Sequence, residues 1–137
     1  MKKFTFGKPE KHVPSAYCDN FSYKETEVSF KESDFVYSEN KRGCCIEFSI
    51  SPDTKIYGFG LQLYRFEEQG NKVTVRCNAD ARAATGDSHA PVPFFVTNKG
   101  YGMFFDTARY AEFYCGVKKV GDRTDDRENK TLLSTEE

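Results

Sequence analysis

Phe94-Phe95-Val96-Thr97-Asn98-Lys99-Gly100-Tyr101-Gly102-Met103-Phe104-Phe105-Asp106 reads as two short apolar runs on either side of Asn98-Lys99-Gly100. A polar tripeptide ending in glycine, between runs of Phe, Val and Tyr, is the pattern of a tight turn joining two antiparallel strands. Working outward, Tyr110 to Cys115 reads as a further strand. On the other side, Lys72 to Asn78 alternates Val73, Val75 and Cys77 with Thr74 and Arg76. Residues 56 to 66 form another extended run, in which Gly58 and Gly60 signal a bulge or a close backbone approach. Glu67 to Asn71 turns that run into residues 72 to 78, so the two are expected to pair as a hairpin. Cys44 to Ile50 places Cys44, Ile46, Phe48 and Ile50 on one face and Cys45, Glu47 and Ser49 on the other, the pattern of a half-buried strand. Glu25 to Phe30 and Phe35 to Ser38 are shorter strand candidates. Nothing holds a helical period for long. The expected fold class is all-β, an antiparallel β-sandwich, with most of the aromatic residues between Tyr57 and Tyr114 filling its core.

The 137 residues are 38% hydrophobic and 30% charged, enough for one domain with a core of its own. No apolar run approaches the roughly 18 residues of a membrane span, so no membrane partner is expected. Twenty basic residues balance twenty-one acidic ones, which leaves no field to attract a phosphate backbone and argues against nucleic acid. The five cysteines are an odd number, and Cys44 and Cys45 are adjacent, where a mutual disulfide would be strained. Met1 to Lys8 carries charge without an apolar stretch, so it is no secretory signal. A reducing cytoplasm is the simpler expectation. No pair of cysteines has zinc-knuckle spacing and His12 and His89 lie far apart, so neither metal nor cofactor is expected.

Residues 79 to 93 are the one passage a sandwich does not need, because hairpin loops take roughly two to five residues. The segment gathers Asp80, Arg82, Asp87, Ser88 and His89, groups suited to a polar ligand such as a sugar. Short polar residues in loops also serve the backbone as turn caps, and both readings stand. Asp87, Ser88 and His89 contain acid, nucleophile and base, but sequence neighbours point in different directions and triads are assembled from distant positions. Asp80 and Asp87 would meet the spacing of about 5 to 5.5 Å for a retaining glycosidase pair only by accident of folding. Gly58-Phe59-Gly60 lacks the third glycine, lysine or helix of a nucleotide site.

Ile56-Tyr57-Gly58-Phe59-Gly60, then Asn78-Ala79-Asp80, then Pro91-Val92-Pro93-Phe94-Phe95-Val96, then Lys99-Gly100-Tyr101-Gly102-Met103-Phe104-Phe105-Asp106, in that order, resembles the N-terminal domain of glycoside hydrolase family 31. The resemblance covers about residues 44 to 116. It implies a galactose-mutarotase-like sandwich packed against a catalytic (β/α)8 barrel of the same protein, acting on an α-linked oligosaccharide or α-glycoside. By the same resemblance Asp80 binds substrate at the barrel rim and Arg82 lies where a loop neighbour can face the sugar. The family's catalytic aspartates belong to the barrel, so no catalytic residue is expected in this chain. Leu61-Gln62 after the glycine pair, and the lack of any tryptophan, depart from the family pattern and leave the sugar open.

Residues 1–120 are expected to form the sandwich, an incomplete N-terminal portion of the parent fold. Residues 121–137, polar from Asp122 to Lys130, are expected to lead toward the rest of the protein. Exposed sheet edges would then favour self-association. A freestanding carbohydrate-binding sandwich and a structural interaction module are the alternatives of other classes.

Overall fold

The computed structural model describes residues 2–8, 27–41, 43–78, 88–107 and 109–117. The chain divides into two compact units, Met1–Ile46 and Glu47–Glu137. Among the described residues the elements are a 3-10 turn, Glu32–Asp34, and seven strands: β1 (Phe35–Asn40), β2 (Gly43–Phe48), β3 (Ile56–Gly60), β4 (Asn71–Val75), β5 (Pro91–Thr97), β6 (Gly102–Phe104) and β7 (Ala111–Cys115). No helix here is long and apolar enough to cross a membrane. The architecture is the all-β one expected, and every strand pair whose register is defined is antiparallel.

The first unit has no fully buried side chain among its described residues. Its cohesion comes from rings. Phe35 meets Phe4 at 5.1 Å, Phe6 at 5.8 Å and Phe30 at 5.8 Å, and Phe6 stacks on Tyr37 at 5.9 Å. Lys2 Nζ donates to the Phe30 carbonyl and lies 5.1 Å over the Phe4 ring. Residues 27–30 are not a strand, which corrects the reading of Glu25 to Phe30; Glu25 itself lies outside the described residues. Phe30 packs its ring on Phe35 at the 3-10 turn, where Lys31 N donates to Asp34 Oδ2, and no ladder forms there. β2, hydrogen-bonded to β1, lacks the expected alternation: Cys45, Ile46, Glu47 and Phe48 are all half-buried, and the strand stops before Ser49.

In the second unit β5 is the middle strand of the sheet β3-β5-β6, and β4 pairs with β7 in a second sheet. The hairpin at Asn98-Lys99-Gly100 forms as read, with Phe94 opposite Phe104 and Phe95 opposite Met103. The expected hairpin of residues 56 to 66 with 72 to 78 does not form. β3 pairs with β5 instead, and β4 pairs residue by residue with β7, Val73 opposite Phe113. Gly58, Phe59 and Gly60 have φ of 137°, 62° and 82°, and the β3–β5 register shifts between Gly58 and Gly60. Three successive positive φ angles throw the chain off the sheet, so residues 61–70 cannot continue β3. They fold back on it: Glu68 N donates to the Ile56 carbonyl, and Phe66 packs on Tyr57 at 5.2 Å.

The core joins both sheets through Ile56, Phe59, Phe95, Val73, Val75 and Cys115. Phe59 is wholly buried, with its ring 4.8 Å from Phe113 and 5.7 Å from Phe95. Among the aromatics expected inside, Tyr64, Phe66, Phe94, Phe104 and Tyr110 are instead exposed. At the far end of β3 and β5, Asn98 accepts from Lys55 N and donates to the Asp53 carbonyl, while Asp53 holds Lys99 Nζ and the Ser51 hydroxyl.

A Cβ on Gly60 would run into the Ala90 carbonyl oxygen, whereas one on Gly70, at φ 80°, meets nothing within 4 Å. Gly70→Ala is therefore expected to cost only its left-handed backbone, about 1–2 kcal/mol, and Gly60→Ala more than about 2 kcal/mol. Urea denaturation of the two variants checks the order, and equal losses would refute the close approach.

The Lys99 ammonium, with help from the Ser51 hydroxyl, pulls the Asp53 carboxyl down to about 2 from its ordinary 3.8. A lowered folded-state value means that the clasp's contribution to stability is present above the ordinary value and is lost as pH falls from there through about 2. Carboxyl NMR titration should find Asp53 ionising near that low value, and back in the ordinary carboxylate range in Lys99→Met.

Candidate functional site

Asp80 and Arg82, the residues expected to face a ligand, lie outside the described residues, as does all of 79–87. The two arms that carry that segment are described, and they form a neck. Cys77 and Ser88 make an isolated parallel bridge, in which Asn78 N donates to the Ser88 carbonyl at 2.8 Å and Ser88 N to the Arg76 carbonyl at 3.3 Å. The Cys77 thiol donates to the His89 carbonyl at 3.6 Å. One arm continues from β4 and the other enters β5, so each is anchored in a different sheet. The bulge closes the neck from behind: Leu61 N donates to the Ala90 carbonyl at 3.1 Å, and Gly60 lies against the same carbonyl. The end of β3, the end of β4 and the start of β5 thus converge where the 79–87 segment begins and ends.

Ser88 is 1% exposed, and its hydroxyl oxygen has no hydrogen-bond partner among the described residues. A buried hydroxyl left without a partner costs about 1–3 kcal/mol, and alanine would fill nearly the same space without that cost. The sequence marks Ser88 only as one polar loop residue among several, and its burial comes from the fold. His89 beside it is exposed and does not bond the Ser88 hydroxyl, so these two do not form part of a local triad.

The carboxylates that surround the core are engaged elsewhere. Glu68, 2% exposed, is held by Arg65 Nε at 3.2 Å. Glu112 accepts from Lys72 Nζ at 2.6 Å and from the Tyr114 hydroxyl at 2.7 Å. The Cys115 thiol is pushed up to about 12 by burial, with Glu68 and Glu67 adding to the effect, so it stays neutral and is no nucleophile. Among the described residues no three His, Cys, Asp or Glu side chains gather to hold a metal.

Two comparisons with known proteins bear on this site. Alpha-xylosidase XylQ from Lactiplantibacillus pentosus is 30% identical over 74 residues, which are 54% of this chain and 10% of that protein. The matched stretch is thus about a tenth of the relative's length. The family model of the glycosyl hydrolase 31 N-terminal galactose mutarotase-like domain matches residues 3–113, through both sheets, the bulge and the neck. With four-fifths of its length inside that match and an antiparallel two-sheet core to go with it, the chain belongs to the family of glycosyl hydrolase 31 N-terminal galactose mutarotase-like domains.

Proposed function

We propose that this chain is the substrate-rim domain of a retaining α-glycosidase, with the 79–87 segment reaching the sugar and a barrel of the same protein supplying the nucleophile and the general acid. The observation that carries the reading is the neck. A segment containing Asp80 and Arg82 follows β4, which ends five residues before Asp80, and its two arms are joined by two backbone hydrogen bonds and backed by the bulge. Such an anchor gives a polar loop a defined starting point, which a group that must meet a hydroxyl needs.

Asp80 is the residue proposed to accept a charge-assisted hydrogen bond from a sugar hydroxyl, with Arg82 beside it as donor. In a double-displacement mechanism the two reacting carboxylates flank the glycosidic bond, and Asp80 would orient the sugar without taking part in bond exchange. The name of the matched relative makes an α-xyloside the first substrate to try, ahead of α-glucosides. The proposed partners are an α-linked oligosaccharide or α-glycoside and the barrel; no cofactor enters, and the proposed compartment is the cytoplasm. The edge strand β6 gives the isolated chain a proposed route to self-association.

The purified chain is expected to leave aryl α-xylosides and aryl α-glucosides intact; turnover that survives repurification would count against a rim domain. In the complete enzyme, Asp80→Ala should lower kcat/KM roughly 10- to 160-fold, the kinetic equivalent of about 1.5–3 kcal/mol for a hydrogen bond to a charged group. The melting temperature should hold. Wild-type kinetics in that variant would return Asp80 to the capping of a turn.

A further inference from the structure

The outer face of the β3-β5-β6 sheet is apolar where a sheet with one face in water should be polar. β5 turns Phe95 into the core and sends Val92, Phe94 and Val96 the other way, with Phe94 41% and Val96 42% exposed. An antiparallel sheet open to solvent alternates apolar with polar residues, whereas strands covered on both sides read as unbroken apolar runs, as Pro91 to Val96 does. The face is continuous across all three strands. Phe94 lies opposite Phe104, which is 62% exposed, and Val96 lies opposite Tyr57, on which the Phe66 ring packs at 5.2 Å. Phe94 and Val96 come together over Gly102, where a Cβ would lie 3.3 Å from Phe94 Cε2 and 3.1 Å from Val96 Cγ1. Gly102 has no positive φ, so the rings and methyls above it, and not its backbone angle, call for a glycine there. We propose that this face is a docking surface and that its occupant is the barrel of the same protein. The proposal rests on that part of the reading above which gives the protein a barrel.

The chemistry of the face selects the kind of occupant. Its side chains are hydrocarbon apart from the Tyr57 hydroxyl, so a sugar laid on it would leave most hydroxyls without partners. Exposed polar residues, Lys55, Asn98 and Asp106, stand at the strand ends, which makes an apolar centre with a polar rim, the anatomy of a protein interface. Two observations point to the parent protein as the source. The stretch matched in the α-xylosidase is 10% of that protein, so most of such an enzyme lies outside the match and is available to cover the face. The face also starts at Val92, two residues beyond the Ala90 carbonyl on which the bulge closes the neck, so a barrel that meets the neck reaches the face as well. A domain on the same chain docks at high effective concentration, whereas a second copy must be recruited from solution.

The test uses the complete enzyme. Hydroxyl-radical footprinting should find the Phe94 and Phe104 rings oxidised about tenfold more slowly in the native enzyme than in the urea-unfolded one, as rings in the core of an interface are, and dilution should not restore their reactivity. A photo-crosslinker placed by Phe104→p-benzoylphenylalanine should join position 104 to a barrel peptide of the same chain. Rings that oxidise in the native enzyme as fast as in the unfolded one overturn the proposal. A crosslink between two chains, or one that stays outside the barrel, overturns it too. The kinetics of Asp80→Ala keep the two readings apart: an impaired variant beside exposed rings leaves the rim role standing and removes the docking face, and wild-type kinetics beside a barrel crosslink do the reverse.

Discussion

The structure of the second unit depends on one residue placed against its own preference. Phe59 sits in the left-handed region at φ 62°, where a bulky side chain costs roughly 1–2 kcal/mol, and its ring is wholly buried. Burying a phenylalanine returns about 1.5–3 kcal/mol, so the strain is tolerated as long as the ring stays between Phe95 and Phe113. The flanking glycines are forced by the same geometry: a side chain on Gly58 would meet the Phe94 carbonyl at 2.6 Å, and one on Gly60 would meet the Ala90 carbonyl. With Phe59 turned inward, β3 ends at Gly60, residues 61–70 fold back toward Ile56, and β4 enters the other sheet. The two-sheet core follows from that bulge.

How much of this could be read from the sequence depends on whether an interaction is local. The turn at Asn98-Lys99-Gly100 was legible because its bonds close within five residues, Thr97 N donating to the Tyr101 carbonyl. The bulge at Gly58 and Gly60 was legible because glycine marks places where a side chain will not fit. The pairing of β3 with β5 and of β4 with β7 was not. Those ladders join residues about forty apart, and the sequence between β3 and β4 has the polar turn of a hairpin without forming one. In β5 the exposure alternates cleanly, yet Pro91-Val92-Pro93-Phe94-Phe95-Val96 is apolar throughout, so no pattern said which face would be inside. Phe94 is exposed for the same reason, whereas Tyr64 and Phe66 lie in the stretch that leaves the sheet after the bulge.

The candidate site divides along the same line. Asn78 and Asp80 stand out by residue type, while the neck that supports them is made of main-chain bonds, which any sequence can donate and accept. Its serine is marked by type as one polar residue among several, and only the fold shows that it is buried. The resemblance pointed to Asp80 and Arg82, which lie outside the described residues, and the fold shows the neck from which their segment starts.

The neck is set in a sandwich whose ionisable groups beside the core are already engaged. The carboxylates beside the core are held by Arg65, Lys72 and the Tyr114 hydroxyl, and the Cys115 thiol is kept neutral by burial. The strained bulge belongs to that arrangement: the backbone turn that lets Phe59 enter the core also presses Gly60 on Ala90, so packing inside the sandwich and the placement of the neck are set by the same three residues.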